Sequence, residues 1–347
     1  MKMEPMLLDA REKAVEGGQA CFGRFSAPFG SLNLLECEGV PGPLAFRRFR
    51  LKEWEHLAVI HPDFYLSVAV VDAGFLITSW THVCDRRTGK AFEHIRKLLP
   101  GSIRLPLNLW DDKAALKAAG YRIELHNDLA RGRHTFRVSV EGHKDLPAVE
   151  AELILDESSQ KTHGLSVVLP LAENRPMYTH KSACPVGGTV TVGGQRFELL
   201  PERDVALLDF HKAYYPHRTF WNWATFAALR PDVGLLGLNL THNVVADDNV
   251  LNENCLWVGN TLQPLAAARF DIPEDPMQSW RVHTLDGRVE LVLKPQGIRK
   301  ERIWLGLAAS SYDQPYGLFS GRIIDSKGRS IPVENAFGLA ERHTVRW

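Results

Sequence analysis

Along most of this chain apolar and polar residues alternate one for one. In YRIELHND the apolar positions are Tyr121, Ile123 and Leu125; in HTFRVSVEG they are Phe136, Val138 and Val140; in RVELVLKP they are Val289, Leu291 and Leu293. A period of two gives a strand one buried face and one wet face. The turn signals DAG, EGHKD, VGG, LDG, PQG and DSKG punctuate these runs, a rhythm that predicts an antiparallel sandwich or barrel and leaves no room for a dinucleotide fold of alternating strands and helices. Helical periodicity is scarce. The clearest case is DDKAALKAAG, residues 111–120, with Asp111 or Asp112 as cap and Gly120 as stop. The segment PVGGTVTVGGQRFELL predicts a hairpin, with Val190 and Val192 before a Gly193-Gly194 turn and Phe197 to Leu200 on the return. No helix start follows those glycines, which disfavours a phosphate loop.

The strand rhythm breaks at PLAENRPMYTHKSACPVGG, Pro170 to Gly188, where prolines, an Asn and a Gly pair crowd together. A boundary there divides the 347 residues into an N-terminal β-barrel or sandwich domain, 1–178, and a C-terminal β-barrel domain, 179–347, that carries the polar and aromatic motifs. Charge narrows the choice of partners. Lys plus Arg and Asp plus Glu both number 41, so no bulk field draws nucleic acid or an anionic membrane. The five cysteines are scattered without a CxxC pair, as expected of a chain in a reducing cytoplasm. MKMEPMLLDAREKAVEGGQ lacks the apolar run of a secretion leader. FYLSVAVVDAGFLITSW is broken by Asp72 and Gly74 and is too short to span a bilayer as a helix. A cytoplasmic protein with no integral membrane segment is the expectation.

Candidate chemistry concentrates in two stretches. In ALLDFHKAYYPHRTFWNWATFA, Asp209 and His211 are two apart and share a strand face, so the carboxylate can orient or charge the imidazole; a turn-capping Asp and a backbone-bonded His are the bland reading. Trp221 and Trp223 share a face opposite Phe220, which suits a packed wall or the lining of an apolar site. In LGLNLTHNVVADDNVLNENCLWVGN, Leu236, Leu238 and Leu240 face one way, with His242 in phase, and Asn239 and Thr241 the other. Asn252, Glu253 and Asn254 follow. Glu253, if it points inward, is desolvated and its carboxyl rises toward the range useful to a general acid; outward, it is a surface charge. SSYDQPYGLFSGRI, with Tyr312, Asp313 and Tyr316, reads as a tight turn closing a barrel edge. HExxH, GxSxG and Walker patterns do not occur. The pairs His211/His217 and His56/His61 lack a third ligand, so no metal and no cofactor is expected.

The succession FWNWA, GLNL, NENCLWVGN, PYGLFSGRI and GLAERHTVRW, closing at Trp347, resembles a bacterial family known as a domain of unknown function. More distantly, a Gly-rich hairpin followed by an Asp-bearing strand is similar to the second half of double-calycin, or tandem lipocalin-like, proteins. That superfamily includes carotenoid hydratase (hydroxyneurosporene synthase), tocopherol cyclase and fungal pericyclases. The resemblance implies an all-β fold of two tandem antiparallel lipocalin-like (calycin) barrels or half-barrels with few short helices. It also implies an apolar small-molecule partner such as an isoprenoid, polyene or acyl lipid, and cofactor-independent acid–base chemistry on it. Asp209 would be the proton donor, tuned by His211, His242 or Glu253, with ligand contacts from Trp221, Trp223, Asn239, Asn254 and Tyr316. LLDFHKAYY departs from the hydratase pattern, which has a Trp before the Asp. Three readings stand: a lyase (hydratase) or isomerase, a non-catalytic lipid carrier, and a structural polar network without ligand.

Overall fold

The computed structural model describes residues 7–172 and 175–347, with only the backbone at Leu305. Residues 1–6, part of the N-terminal stretch read for a leader, lie outside the described residues. The chain is almost entirely antiparallel β-structure, gathered into a 13-stranded sheet, a 9-stranded sheet and a two-stranded ribbon. Among the described residues the only α-helix is Leu44–Arg50, and no helix is long and apolar enough to cross a membrane. All five cysteines are free.

Each large sheet rolls around its own core. In the first, the path from Ala91–Leu98 to Asp112–Ala118 has strands at its two ends that are not paired with each other. Yet Phe92 and Leu98 at one end and Ala114 and Leu116 at the other pack into a single apolar cluster with Leu57, Leu66 and Leu208. In the second, Leu256 near one end and Ala268 and Trp280 near the other share a core with Leu236, Leu238, Phe226 and Phe319. The expected all-β fold of two tandem antiparallel barrels or half-barrels is the fold observed.

The sheets meet along strands that are buried on both faces. Val205–Ala213 is buried at every residue. Its Ala206 and Leu208 enter the first core, while Leu207 and Ala213 point toward the second sheet. Gly234–His242 behaves alike: Leu236, Leu238 and Leu240 fill the second core, and Leu235 faces the first sheet. The period of two is present, but the face expected to be wet is covered by the partner sheet.

Three expectations need correcting. Asp112–Ala118 is a strand, not a helix; Ala114 and Leu116 are buried in alternation, and a turn at Gly120 pairs it with Tyr121–Asp128. The helix preference of Ala, Lys and Leu yields to that pairing and burial. Second, the first sheet runs on past 178/179: Arg175–Val192 is one long strand of it, and the chain reaches the second sheet only between Ala213 and Arg218. Pro185, Gly187 and Gly188 mark a change of neighbours within that strand, from Leu165–Ala172 and Val205–Ala213 to Val149–Asp156 and Gln195–Leu199. Gly188 takes φ +125, and a Cβ there would sit 2.0 Å from the Glu152 carbonyl oxygen, so the prolines and glycines form a corner in one sheet. Third, the SSYDQPYGLFSGRI segment lies in the continuous strand Ala308–Ile324, not in a turn. Pro315 sits where pairing with Ser330–Arg346 lapses between Asp313 and Tyr316, so its missing N–H costs no ladder bond on that side. The Gly193-Gly194 hairpin is present as expected, joining Arg175–Val192 to Gln195–Leu199.

Candidate functional site

Between the sheets lies a cavity with about 170 Å³ of free space, walled mainly by aromatic and aliphatic side chains. The period-two register aims its polar groups. Trp54 and His56 come from Lys52–Ile60, Lys181 from Arg175–Val192, and Asp209 and His211 from Val205–Ala213. The second sheet supplies Trp221 and Trp223 from Arg218–Arg230, Thr241 from Gly234–His242, and Glu341 from Ser330–Arg346.

At one end Lys181 Nζ stands 2.8 Å from Asp209 Oδ1 and 3.8 Å from Glu253 Oε1, and 4.9 Å from the centre of the Trp223 ring. Asp209 Oδ2 also accepts from Trp54 Nε1 at 3.1 Å. Burial alone would raise the Asp209 carboxyl, but Lys181, by its charge and its hydrogen bond, outweighs it and holds the group below its ordinary value. Lys181 moves upward: burial opposes its charge, and Asp209 and Glu253 more than offset that. Glu253 behaves oppositely to Asp209. Its desolvation, added to by Asp209, exceeds the help from Lys181 and raises its carboxyl above the ordinary value. Thr241 Oγ1 donates to Glu253 Oε1, while Oε2 is buried with no hydrogen-bond partner among the described residues. The two carboxyls thus differ: Asp209 is a paired carboxylate, and Glu253 is the group biased toward carrying a proton.

An aromatic stack that begins at Trp54 forms another part of the wall. The His211 ring lies 3.7 Å from Trp54 at an interplanar angle of 2°, followed by Tyr215, Trp221 and Trp347. His211 Nε2 is 2.9 Å from Tyr215 Oη. Burial pushes its imidazole down to about 3, so the ring is neutral at physiological pH. Glu341 accepts from Trp221 Nε1 at 2.8 Å and Gln314 Nε2 at 3.1 Å. Arg299 spans the far end, its guanidinium 4.1 Å from the Trp80 ring centre and held by Glu93 through Nε; its Nη2 has no partner among the described residues.

Of the residues expected at the site, Asp209, His211, Glu253, Trp221 and Trp223 line this cavity. The others do not. His242 keeps its phase with the leucines and therefore points away, to 3.8 Å from Asp248 and alongside Phe270. Asn239 lies behind the wall, accepting from Trp223 Nε1 at 2.7 Å and donating to the Glu253 carbonyl at 2.8 Å. Asn254 closes the end of a ladder, accepting from Thr241 N and donating to the Ala266 carbonyl. Asn252 accepts from the buried Arg24, which also bonds its carbonyl. The amides of NENCLW thus hold the segment that carries Glu253. Tyr316 packs against Tyr65, His82 and Phe337, outside the cavity lining. Asp209, expected as the proton donor, lies in an ion pair with Lys181. His211 and His217 take different partners, Tyr215 and the Trp347 carbonyl, and His56 bonds Ser67 while His61 accepts from Asp63 N.

Lys181, Arg299 and Trp54 were not anticipated. Their only trace in the sequence is a charge or large ring within HKSAC, GIRKERI and KEWEHLAVI, and only the folded structure places all three on one cavity.

The family model for the Domain of unknown function (DUF2804) matches residues 16–347, and the chain belongs to that family. No curated protein matches it. Among solved structures, kievitone hydratase from Nectria haematococca is similar over 85% of this chain and 88% of its own, with 10% identity and a TM-score of 0.47. A Nitrosomonas europaea protein provisionally assigned as AttH is similar over 88% of this chain and 97% of its own, with 15% identity and a TM-score of 0.46.

Proposed function

We propose that this member of the DUF2804 family binds an apolar small molecule between its two sheets and carries out cofactor-independent proton transfer on it, with Glu253 as the acid. The observation that carries the reading is Glu253 Oε2, a buried carboxyl oxygen without a partner among the described residues, in an aromatic-walled cavity. An unpaired buried polar atom costs stability, and such a cost is commonest where the atom has work to do. Proton delivery to a double bond develops positive charge in the substrate. The faces of Trp221 and Trp223 and the carboxylates of Asp209 and Glu341 line the cavity where that charge would form. Burial raises the Glu253 carboxyl and the nearby charge of Asp209 adds to that, so Asp209, paired with Lys181, acts as a positioning group.

A carrier reading has its own support in Arg299 Nη2, a buried donor able to anchor the oxygen of a head group while the rest of the ligand lies along the stack. One experiment separates the two. The full chain is purified from its native host and extracted with organic solvent, and the recovered molecule is identified by mass spectrometry and returned to the protein. Conversion by the wild type, slowed about 10²–10⁴-fold by Glu253→Gln without loss of ligand retention, supports the acid. Retention without conversion leaves a carrier. An empty extract and no thermal shift across an isoprenoid and acyl-lipid panel would remove the ligand altogether.

A further inference from the structure

Away from the cavity, three side chains from separate parts of the first sheet converge. His134 belongs to Arg133–Val140, His180 to Arg175–Val192, and Glu157 follows directly on Val149–Asp156. All three are buried. The Glu157 carboxylate lies between the rings, with Oε2 3.1 Å from His134 Nε2 and Oε1 2.8 Å from His180 Nε2. The far nitrogens are engaged as well: His134 Nδ1 is 2.6 Å from Asn127 Oδ1, and His180 Nδ1 is 2.9 Å from Ser166 Oγ.

These contacts fix a tautomer. Asn127 Nδ2 donates to Glu55 Oε2 at 3.2 Å, so the amide presents its oxygen to His134 and accepts from Nδ1–H. A neutral His134 then turns the Nε2 lone pair toward a carboxylate oxygen. Two lone pairs cannot face each other at that distance without a positive centre between them, either an added proton or a metal cation. The Ser166 hydroxyl can accept from His180 Nδ1–H in the same way, freeing its Nε2 also as a ligand. Imidazoles that offer one nitrogen inward and donate from the other to an oxygen are the usual outer-shell arrangement of metal-binding histidines. The donor atoms lie within 4.8 Å of one another; an ion about 2.0–2.2 Å from each of two ligands sets them no more than about 4.4 Å apart, so a small side-chain adjustment seats it.

We infer that His134, Glu157 and His180 form a binding site for a divalent transition-metal ion of the zinc class. The site pins the 157–164 connection to the first sheet. Gly164 closes over it: a Cβ there would meet Glu157 Oε1 and His180 Cε1 at 2.3 Å. Ser159, Gln160 and Lys161 in the same connection are exposed. The carbonyl of His163 accepts from Trp257 Nε1 of the second sheet at 2.8 Å, so a metal that orders this connection also stiffens a contact between the sheets. Sequence spacing hides the site, because the ligands come from two strands and a connection that are brought together only by the fold.

The test uses the full chain, stripped with a chelator and titrated with Zn(II) and, separately, Co(II). One equivalent of Zn(II) should bind and raise the Tm, and Co(II) should develop the visible absorption of a low-coordinate nitrogen and oxygen site. Glu157→Gln and His180→Gln should lose both effects, and Asn127→Leu should weaken binding about 10–100-fold. His126→Ala, which breaks the more exposed Asp111, His126 and Asp128 group, should change neither. No uptake by the wild type, or uptake abolished by His126→Ala and retained in His180→Gln, overturns the site. Should the ligand variants fail to fold, X-ray absorption of the zinc-loaded wild type decides: two imidazoles support the assignment, and one or none refutes it.

Discussion

The two faces of the strand Gly234–His242 share one backbone and meet opposite surroundings. Leu236, Leu238 and Leu240 enter the second core with Phe226, Leu256 and Phe319. Asn239 and Thr241 face the layer between the sheets and bond Trp223 and Glu253. The first face is held by area removed from water and is indifferent to direction. The second is held by directed contacts, with Glu253 Oε2 left without a partner among the described residues, and it leaves Lys181, Asp209 and Glu253 charged or polar out of reach of bulk water. Burial without direction holds the inside of each roll, while the layer between the rolls combines an apolar cluster with directed polar contacts.

The largest expected effect breaks the inter-sheet face. Lys181→Met strands Asp209 beside Glu253 without a cation and should cost about 3–5 kcal/mol in urea unfolding, most of it recovered in the double variant Lys181→Met/Asp209→Leu. A single and double variant of equal stability would mean that the pair is not coupled. On the leucine face, Leu238→Ala should cost about 2–5 kcal/mol by leaving a cavity, and ligand retained by the folded fraction should be unchanged. Altered retention there would show that the two faces are not independent.

Acid titration sharpens the same contrast. His211 and His56, both facing the cavity, are pushed by burial to about 3 and about 4. Unfolded imidazoles titrate near about 6.5, so below that pH the unfolded chain binds more protons. Stability should therefore be intact above pH about 6.5 and fall as the pH drops toward 4. The raised carboxyl of Glu253 works against this fall. His211→Phe, which keeps a ring beside Trp54, should make the slope shallower, and an unchanged slope would show that His211 does not titrate across this window. The smallest effect belongs to Phe220, exposed between Trp221 and Thr219 in the sequence: Phe220→Ser should move stability by no more than about 0.5 kcal/mol.

Strand content, the hairpin at Gly193-Gly194 and the in-phase leucines were legible because they depend on residues adjacent in the chain. Asp112–Ala118 misled because its Ala, Lys and Leu suit a helix, and only the partner strand Tyr121–Asp128 makes the alternation of Ala114 and Leu116 decisive. Pro176 and Pro185 looked like a boundary because local sequence does not distinguish a linker from a corner within one strand. At the site, Asp209 with His211 and Trp221 with Trp223 were found by shared strand faces. Lys181 was not, since its meeting with Asp209 depends on the pairing of two separate strands.

By itself the sequence determined that the chain folds as antiparallel strands and which residues of each strand lie together on one face, because side-chain direction alternates locally. Tertiary structure decided whether the second face met water or another sheet. That choice moves the Asp209 carboxyl down and the Glu253 carboxyl up, because desolvation and the distance to Lys181 come from groups that the chain brings together only when it folds.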